Sequence, residues 1–280
     1  MPDSAPLRAS ELAALSIDEL RARFSDGAEE LPRGGLQALK DDPRAGARAL
    51  AKTLEKRKDA ARAEEKRLDK LTLFERALWD EGVELVGGVD EVGMAPLAGP
   101  VIAAAVILPR GCRILGVNDS KQLTPEEREA LDPQIRAQAI TWAIGRAEVE
   151  EIDRINIYQA GLLALKRAVL GLRPQPQHLL VDARKLDLPM PQQPIIKGDA
   201  KSLTIGAASI VAKVHRDRLM SDLDLQHPGY NLAANKGYPT PDHLEALTRL
   251  GACPIHRRSF GPVTKALGLD AASKQGSLFG

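Results

Sequence analysis

The sequence predicts an α/β fold: a mixed β-sheet flanked by helices, with an N-terminal α-helical extension. Two observations point there. Two apolar runs, Glu84 to Val92 and Gly99 to Leu108 (GPVIAAAVIL), have the length and residue types of buried strands, and from Thr141 onward strand-like and helix-like segments alternate. The first 83 residues differ, being charged and alanine-rich with helical spacing.

In that first zone, Ala45 to Trp79 is expected to be helical. Leu50, Leu54, Leu68, Leu71, Phe74 and Leu78 are its apolar positions, and Pro43 stands where a helix start accepts proline. Alternating charges through Glu55 to Lys70 indicate a solvated face. Two roles are open for the extension: an additional duplex-binding arm, or a structural helix packed on the rest. The second zone, residues 84–269, starts with the two apolar strands, and Thr141 to Val149 would form a third. A helix over Ile152 to Leu172 leads to short strands at His178 to Asp182 and Gln193 to Lys197. Ser202 is placed to cap a long helix reaching Leu225. Thr240 and Pro241 begin another, which ends at Leu250. Residues 270–280 form a polar tail expected to be flexible.

The full chain has 280 residues, 44% of them hydrophobic and 28% charged. That composition builds a core and excludes wholesale disorder. No run of about 18 apolar residues occurs, so no membrane span is expected. Met1 to Leu20 lacks a long apolar stretch, which argues against a signal peptide and for the cytoplasm. Cys112 and Cys253 form no CxxC pair, and the spacing of His215, His243 and His256 fits no zinc pattern. These histidines are read as packing or phosphate-side residues. Net charge is +1, but nine Lys or Arg against five Asp or Glu between Lys201 and Lys265 leave a modestly basic segment. A phosphate-backbone partner is compatible with it, as is an ordinary solvated surface.

The acids are more informative. Asp90 and Glu91 end one apolar strand and Asp182 ends another, while Asp217 lies on the long helix between Arg216 and Arg218. Carboxylates gathered at one end of a sheet repel one another unless a hard divalent cation joins them. Magnesium and manganese prefer oxygen donors, and a pair of such ions suits phosphoryl transfer. Adjacent strand residues face opposite ways, so Asp90 and Glu91 share an ion only if the strand bends, which Gly93 permits.

Seven segments, in order, carry a resemblance: GVDEVGMAPLAGPVIAAAVILP (Gly88 to Pro109), NDSKQLT (Asn118 to Thr124), LLVDA (Leu179 to Ala183), IIKGDAKS (Ile195 to Ser202), AASIVAKVHRD (Ala207 to Asp217), KGYPT (Lys236 to Thr240) and HRRSFGPV (His256 to Val263). From about Leu85 to Leu269 the chain resembles ribonuclease HII, the type 2 ribonuclease H family. The resemblance implies a ribonuclease H-like sheet and Asp90, Glu91, Asp182 and Asp217 as catalytic, metal-holding carboxylates. It implies two Mg2+ or Mn2+ ions and cleavage beside ribonucleotides in RNA–DNA hybrids or duplex DNA, leaving 3′-hydroxyl and 5′-phosphate ends. The associated role is ribonucleotide removal in DNA replication and repair, and a monomer is expected. Asp119 is near the site by the same resemblance but is not counted as a ligand.

Where the family has Gly-Arg-Gly, this chain has Gly93-Met94-Ala95. The change removes a cation and adds a Cβ where φ could be positive. Two outcomes are open: normal behaviour through backbone N–H groups, or weakened incision at single embedded ribonucleotides. Tyr238 matches the family's sugar-stacking tyrosine, against the alternative of a half-buried ring on the core. Lys121 and Lys213, with Arg257 and Arg258, are candidates for phosphate contacts. The tail residues Gln275, Leu278 and Phe279 resemble a QxxLF peptide that docks on the bacterial sliding clamp.

Overall fold

The computed structural model describes residues 7–25 and 29–269. The expected tail and its Gln275, Leu278 and Phe279 lie outside the described residues. Two compact units divide between Arg67 and Leu68, earlier than the boundary expected at residue 83.

The first unit holds a 3-10 turn (Ala9–Ala14), α1 (Ile17–Phe24), α2 (Gly35–Asp41) and most of α3 (Ala45–Leu71). Ser16 and Glu19 cap α1 reciprocally: the Glu19 N–H donates to Ser16 Oγ at 3.2 Å, and the Ser16 N–H donates to Glu19 Oε2 at 2.8 Å. Leu12, Leu20, Phe24, Leu39 and Leu50 form a small core. The sequence reading misses α1 and α2, because helices of two turns expose too few apolar positions to show a period.

The second unit begins with the end of α3. The expected single helix to Trp79 is interrupted at Thr72, and α4 (Leu73–Asp80) follows. Residues 68–83 belong with the sheet for a physical reason: Leu68 and Leu71 pack in one of its cores, and Leu78 and Trp79 in another with Val86, Leu180 and Ile205. The strands are β1 (Val86–Val92), β2 (Val101–Ile107), β3 (Thr141–Ala147), β4 (His178–Asp182) and β5 (Gln192–Ile195). Their order is β3-β2-β1-β4-β5. β1 and β3 run antiparallel to β2, whereas β1, β4 and β5 are mutually parallel.

Between strands come α5 (Pro125–Gln138) and α6 (Val149–Gly171); after β5 come α7 (Leu203–Gln226), α8 (Leu232–Asn235), α9 (Pro241–Leu250) and α10 (Gly261–Ala266). Ile102, Ala104 and Val106 of β2 pack with α7, and Val101, Ala103, Ala105 and Ile107 with α6. Burial on both faces explains the unbroken apolar run of β2. The sequence reading also misses α5, whose charged first turn hides its period; its signal was the Thr124-Pro125 start with Glu127 completing a capping box. α6 starts three residues earlier than expected and breaks at Asn156 (φ 66°). Among the described residues no helix is long and apolar enough to cross a membrane.

Candidate active site

Register brings the first two acids together. β1 and β4 run parallel with Val89 opposite Val181, so Asp90 and Asp182 follow at the same level, at the carboxyl end of the strands. Open sheets bind ligands at that edge. Gly88 lets α7 approach β1: a Cβ there would stand 2.4 Å from the Thr204 carbonyl carbon. After β5 the chain turns through Lys197, Gly198 and Asp199, and the Gly198 N–H donates to Asp182 Oδ1 at 2.7 Å.

Asp199 thereby joins the acids, and it is buried. Asp90 is also buried, and its Oδ1 accepts the Glu91 N–H at 2.8 Å. Burial, then Glu91, with Asp182 and Asp199 beyond, holds the Asp90 carboxyl well above the usual range; a Ser209 hydroxyl bond offsets part of this. Glu91 turns toward Arg184, whose Nη2 lies 2.9 Å from Oε1, and its Oε2 is buried without a hydrogen-bond partner. Burial raises the Glu91 carboxyl despite Arg184. Burial and then Asp119 raise Asp199, against Lys121.

Asp217 departs from expectation. Ser209, which bonds Asp90, lies eight residues earlier on α7, so Asp217 is about 12 Å further along the helix at about 1.5 Å per residue. Lys213 Nζ donates to Asp217 Oδ1 at 2.6 Å, and Arg128 Nη2 stands 3.7 Å from Oδ2. The structure groups Asp90, Glu91, Asp182 and Asp199, and leaves Asp217 in a separate cation-rich cleft. Asp199 stands within IIKGDAKS, but Lys197 and Gly198 separate it from the short strand β5, so it does not itself end an apolar run.

Other expected contacts sort clearly. Lys121 reaches Asp199, Nζ to Oδ2 3.7 Å, from an exposed position. Arg257 is fully buried and does not face a phosphate: Nε donates to Gly99 O at 2.9 Å, Nη2 to Gly93 O at 2.6 Å and Nη1 to Met94 O at 3.2 Å. Arg216, also fully buried, donates to the carbonyls of Ala98, Pro100 and Lys236. Two buried guanidinium groups therefore hold the main chain of the loop after β1. Arg258 is exposed, and its main-chain N–H donates to Asp153.

Gly93 has φ 93°, and a Cβ there would sit 2.4 Å from Arg216 Nε. Glycine is required at that point. Ala95 is exposed and is not among the positive-φ residues, so the strain anticipated for it is absent. Met94 is half-buried against the α6 core.

Tyr238 keeps 36% of its surface exposed. Its carbonyl accepts from His243 Nδ1 at 2.8 Å. His243 Nε2 then accepts from His256 Nε2 at 3.1 Å, and His256 Nδ1 accepts the Cys253 N–H at 3.1 Å. This neutral chain follows from the bond partners. Burial first, then His243, pushes His256 down to about 4. His243 and His256 act in packing, as expected.

Among the described residues no three His, Cys, Asp or Glu side chains converge tightly enough to hold a metal as they stand. The donor set nonetheless fits a hard cation: every candidate atom is oxygen, Asp182 adds to the raising of Asp90, Glu91 and Asp199, and Glu91 Oε2 lacks a partner.

A ribonuclease HII family model matches residues 87–263, and a ribonuclease HII N-terminal domain model matches residues 16–79. The chain is 60% identical to a ribonuclease HII of Anaeromyxobacter sp. (strain Fw109-5), over 98% of this chain and 86% of that protein. The ribonuclease H2 structure from Pyrococcus horikoshii OT3 is similar at TM-score 0.58 and 28% identity, covering 66% of this chain and 98% of its own. A ribonuclease HII in a PCNA complex from Archaeoglobus fulgidus shares the fold at TM-score 0.53 and 24% identity, covering 65% of this chain and 96% of its own.

Proposed function

The chain belongs to the ribonuclease HII family and is a ribonuclease H enzyme, and from that premise we propose the reaction it performs. The substrate is the phosphodiester beside a ribonucleotide, in an RNA–DNA hybrid or in duplex DNA with embedded ribonucleotides. Hydrolysis leaves 3′-hydroxyl and 5′-phosphate ends, a step in ribonucleotide removal during DNA replication and repair. The convergence of Asp90, Asp182 and Asp199 with Glu91 carries this reading.

Asp90, Glu91, Asp182 and Asp199 would hold Mg2+ or Mn2+, which supplies an activated water and charge stabilisation at the leaving oxygen. Arg184 orients Glu91. The Gly198 N–H orients Asp182. Ser209, itself 2.9 Å from Ser120 Oγ, orients Asp90. Lys121 stands beside Asp199, exposed and ready for a phosphate. Gly93, Met94 and Ala95 present main chain held by Arg257 and Arg216, and the exposed Tyr238 ring offers a face for a sugar.

The test is nicking of duplexes containing one or four ribonucleotides, with Mg2+ or Mn2+. Cleavage 5′ to a ribonucleotide by the native chain, abolished in Asp90→Asn, supports the reading; cleavage unaffected by that change refutes it.

Met94 places no cation in this loop, which supports weakened incision at single ribonucleotides relative to longer tracts. If Met94→Arg/Ala95→Gly leaves the ratio of the two rates unchanged, that specificity is wrong. For the tail, Gln275, Leu278 and Phe279 would dock on a sliding clamp, and the relative named in a PCNA complex makes such a partner reasonable. Equal clamp binding by Leu278→Ala/Phe279→Ala would exclude it. A cytoplasmic monomer remains our expectation.

A further inference from the structure

A cleft of about 450 Å3 is lined by Arg128, Lys213, Asp217, Arg218, Ser221 and Lys236, with Glu129 at its edge. Four cations face two carboxylates. Asp217 is taken up by Lys213 and Arg128, and Arg218 pairs with Glu129 and Asp132. Lys236 has no carboxylate partner among the described residues. Its Nζ donates to the Asp217 carbonyl at 3.2 Å and to Ser221 Oγ at 3.1 Å. An ammonium has three donors, so one remains for a ligand. The excess charge makes that ligand an anion.

Two connections tie the cleft to the carboxylate cluster. Arg128 Nη1 donates to Ser120 O at 2.8 Å, and Ser120 Oγ lies 2.9 Å from Ser209 Oγ beside Asp90. On the other side, Lys236 precedes Tyr238 by two residues in KGYPT. The separation of about 12 Å along α7 spans a few nucleotides at roughly 3.4 Å rise each.

We propose that this cleft binds one backbone phosphate of the substrate duplex, away from the scissile bond, with Lys236 as its anchoring cation. The proposal rests on the nuclease reading above. It gives Asp217 a role different from metal binding: its carboxylate holds Lys213 and Arg128, and its carbonyl aims Lys236. Phosphate contacts of this kind fix register without reading bases.

Lys236 adopts φ 52°, a conformation asparagine tolerates, so Lys236→Asn removes the charge with little backbone cost. Steady-state cleavage of a one-ribonucleotide duplex is measured between 50 and 200 mM salt, with melting temperature as the folding control. The expected result is a KM raised about threefold to tenfold at low salt, and a salt slope reduced by about 0.9, the value for one phosphate contact. Should Lys236→Asn melt early, Arg218→Gln at the exposed rim supplies the same comparison. Native KM and native salt slope in a folded variant overturn the proposal while leaving the nuclease reading intact. Failure of the native chain to nick any duplex overturns both.

Discussion

Glu75 and Ser202 share a hydrogen bond of 2.6 Å across 127 positions of sequence, and the same Glu75 oxygen accepts the Thr204 N–H at 2.9 Å. α4 thus fastens the first turn of α7, directly after the segment carrying Asp199. Burial raises the Glu75 carboxyl, and its second oxygen has no partner. A neutral side chain of the same shape is therefore expected to serve. Glu75→Gln should melt near the native temperature, whereas Glu75→Ala should lose about 1–3 kcal/mol by leaving buried donors unpaired. Chemical denaturation of the two variants decides it.

Asp199 and Asp217 make opposite predictions. Asp199→Asn should lower cleavage by at least about tenfold to a hundredfold, the scale seen when groups tuning a metal site are removed. Asp217→Asn should retain the larger share of kcat and act mainly on KM. Loss of kcat in Asp217→Asn equal to that in Asp199→Asn would return Asp217 to the metal set.

Asp90 sets a pH dependence whose sign is fixed. Its carboxyl is raised in the fold, so the native state keeps a proton that the unfolded chain has released above about pH 4. Stability from this group is present below that pH and is lost as pH rises toward the folded value. In EDTA, Asp90→Asn should therefore gain melting temperature relative to the native chain between pH 5 and pH 8. Adding Mg2+ should stabilise the native chain more at pH 8 than at pH 5, because binding needs ionised carboxylates.

Arg257 holds three carbonyls with one guanidinium. Lysine cannot reproduce that fork. Arg257→Lys should destabilise the chain by about 1–3 kcal/mol through unpaired buried carbonyls. Hydrogen exchange should show the loop after β1 opening more readily, and unchanged exchange there would contradict its holding role.

Much of the sheet was legible because burial leaves a compositional trace. β2 is enclosed on both faces, and its residues are apolar without interruption. Asp90 and Asp182 stood out because each ends such a run. Asp199 did not, since its burial arises only when the turn after β5 folds against α7 and Asp182. The same limit hid Arg216 and Arg257, whose charge reads as surface until the loop carbonyls they bind are placed around them. Asp217 sits in a motif readable from sequence, but its position about 12 Å beyond Ser209 shows only once α7 is built.

The clasp on the loop after β1 has a consequence for substitution. Arg216 and Arg257 grip main-chain oxygens, which every amino acid possesses, and neither grip depends on the side chains at positions 94 and 95. Substitutions at those two positions can therefore change what the loop offers a ligand while leaving its frame unaltered.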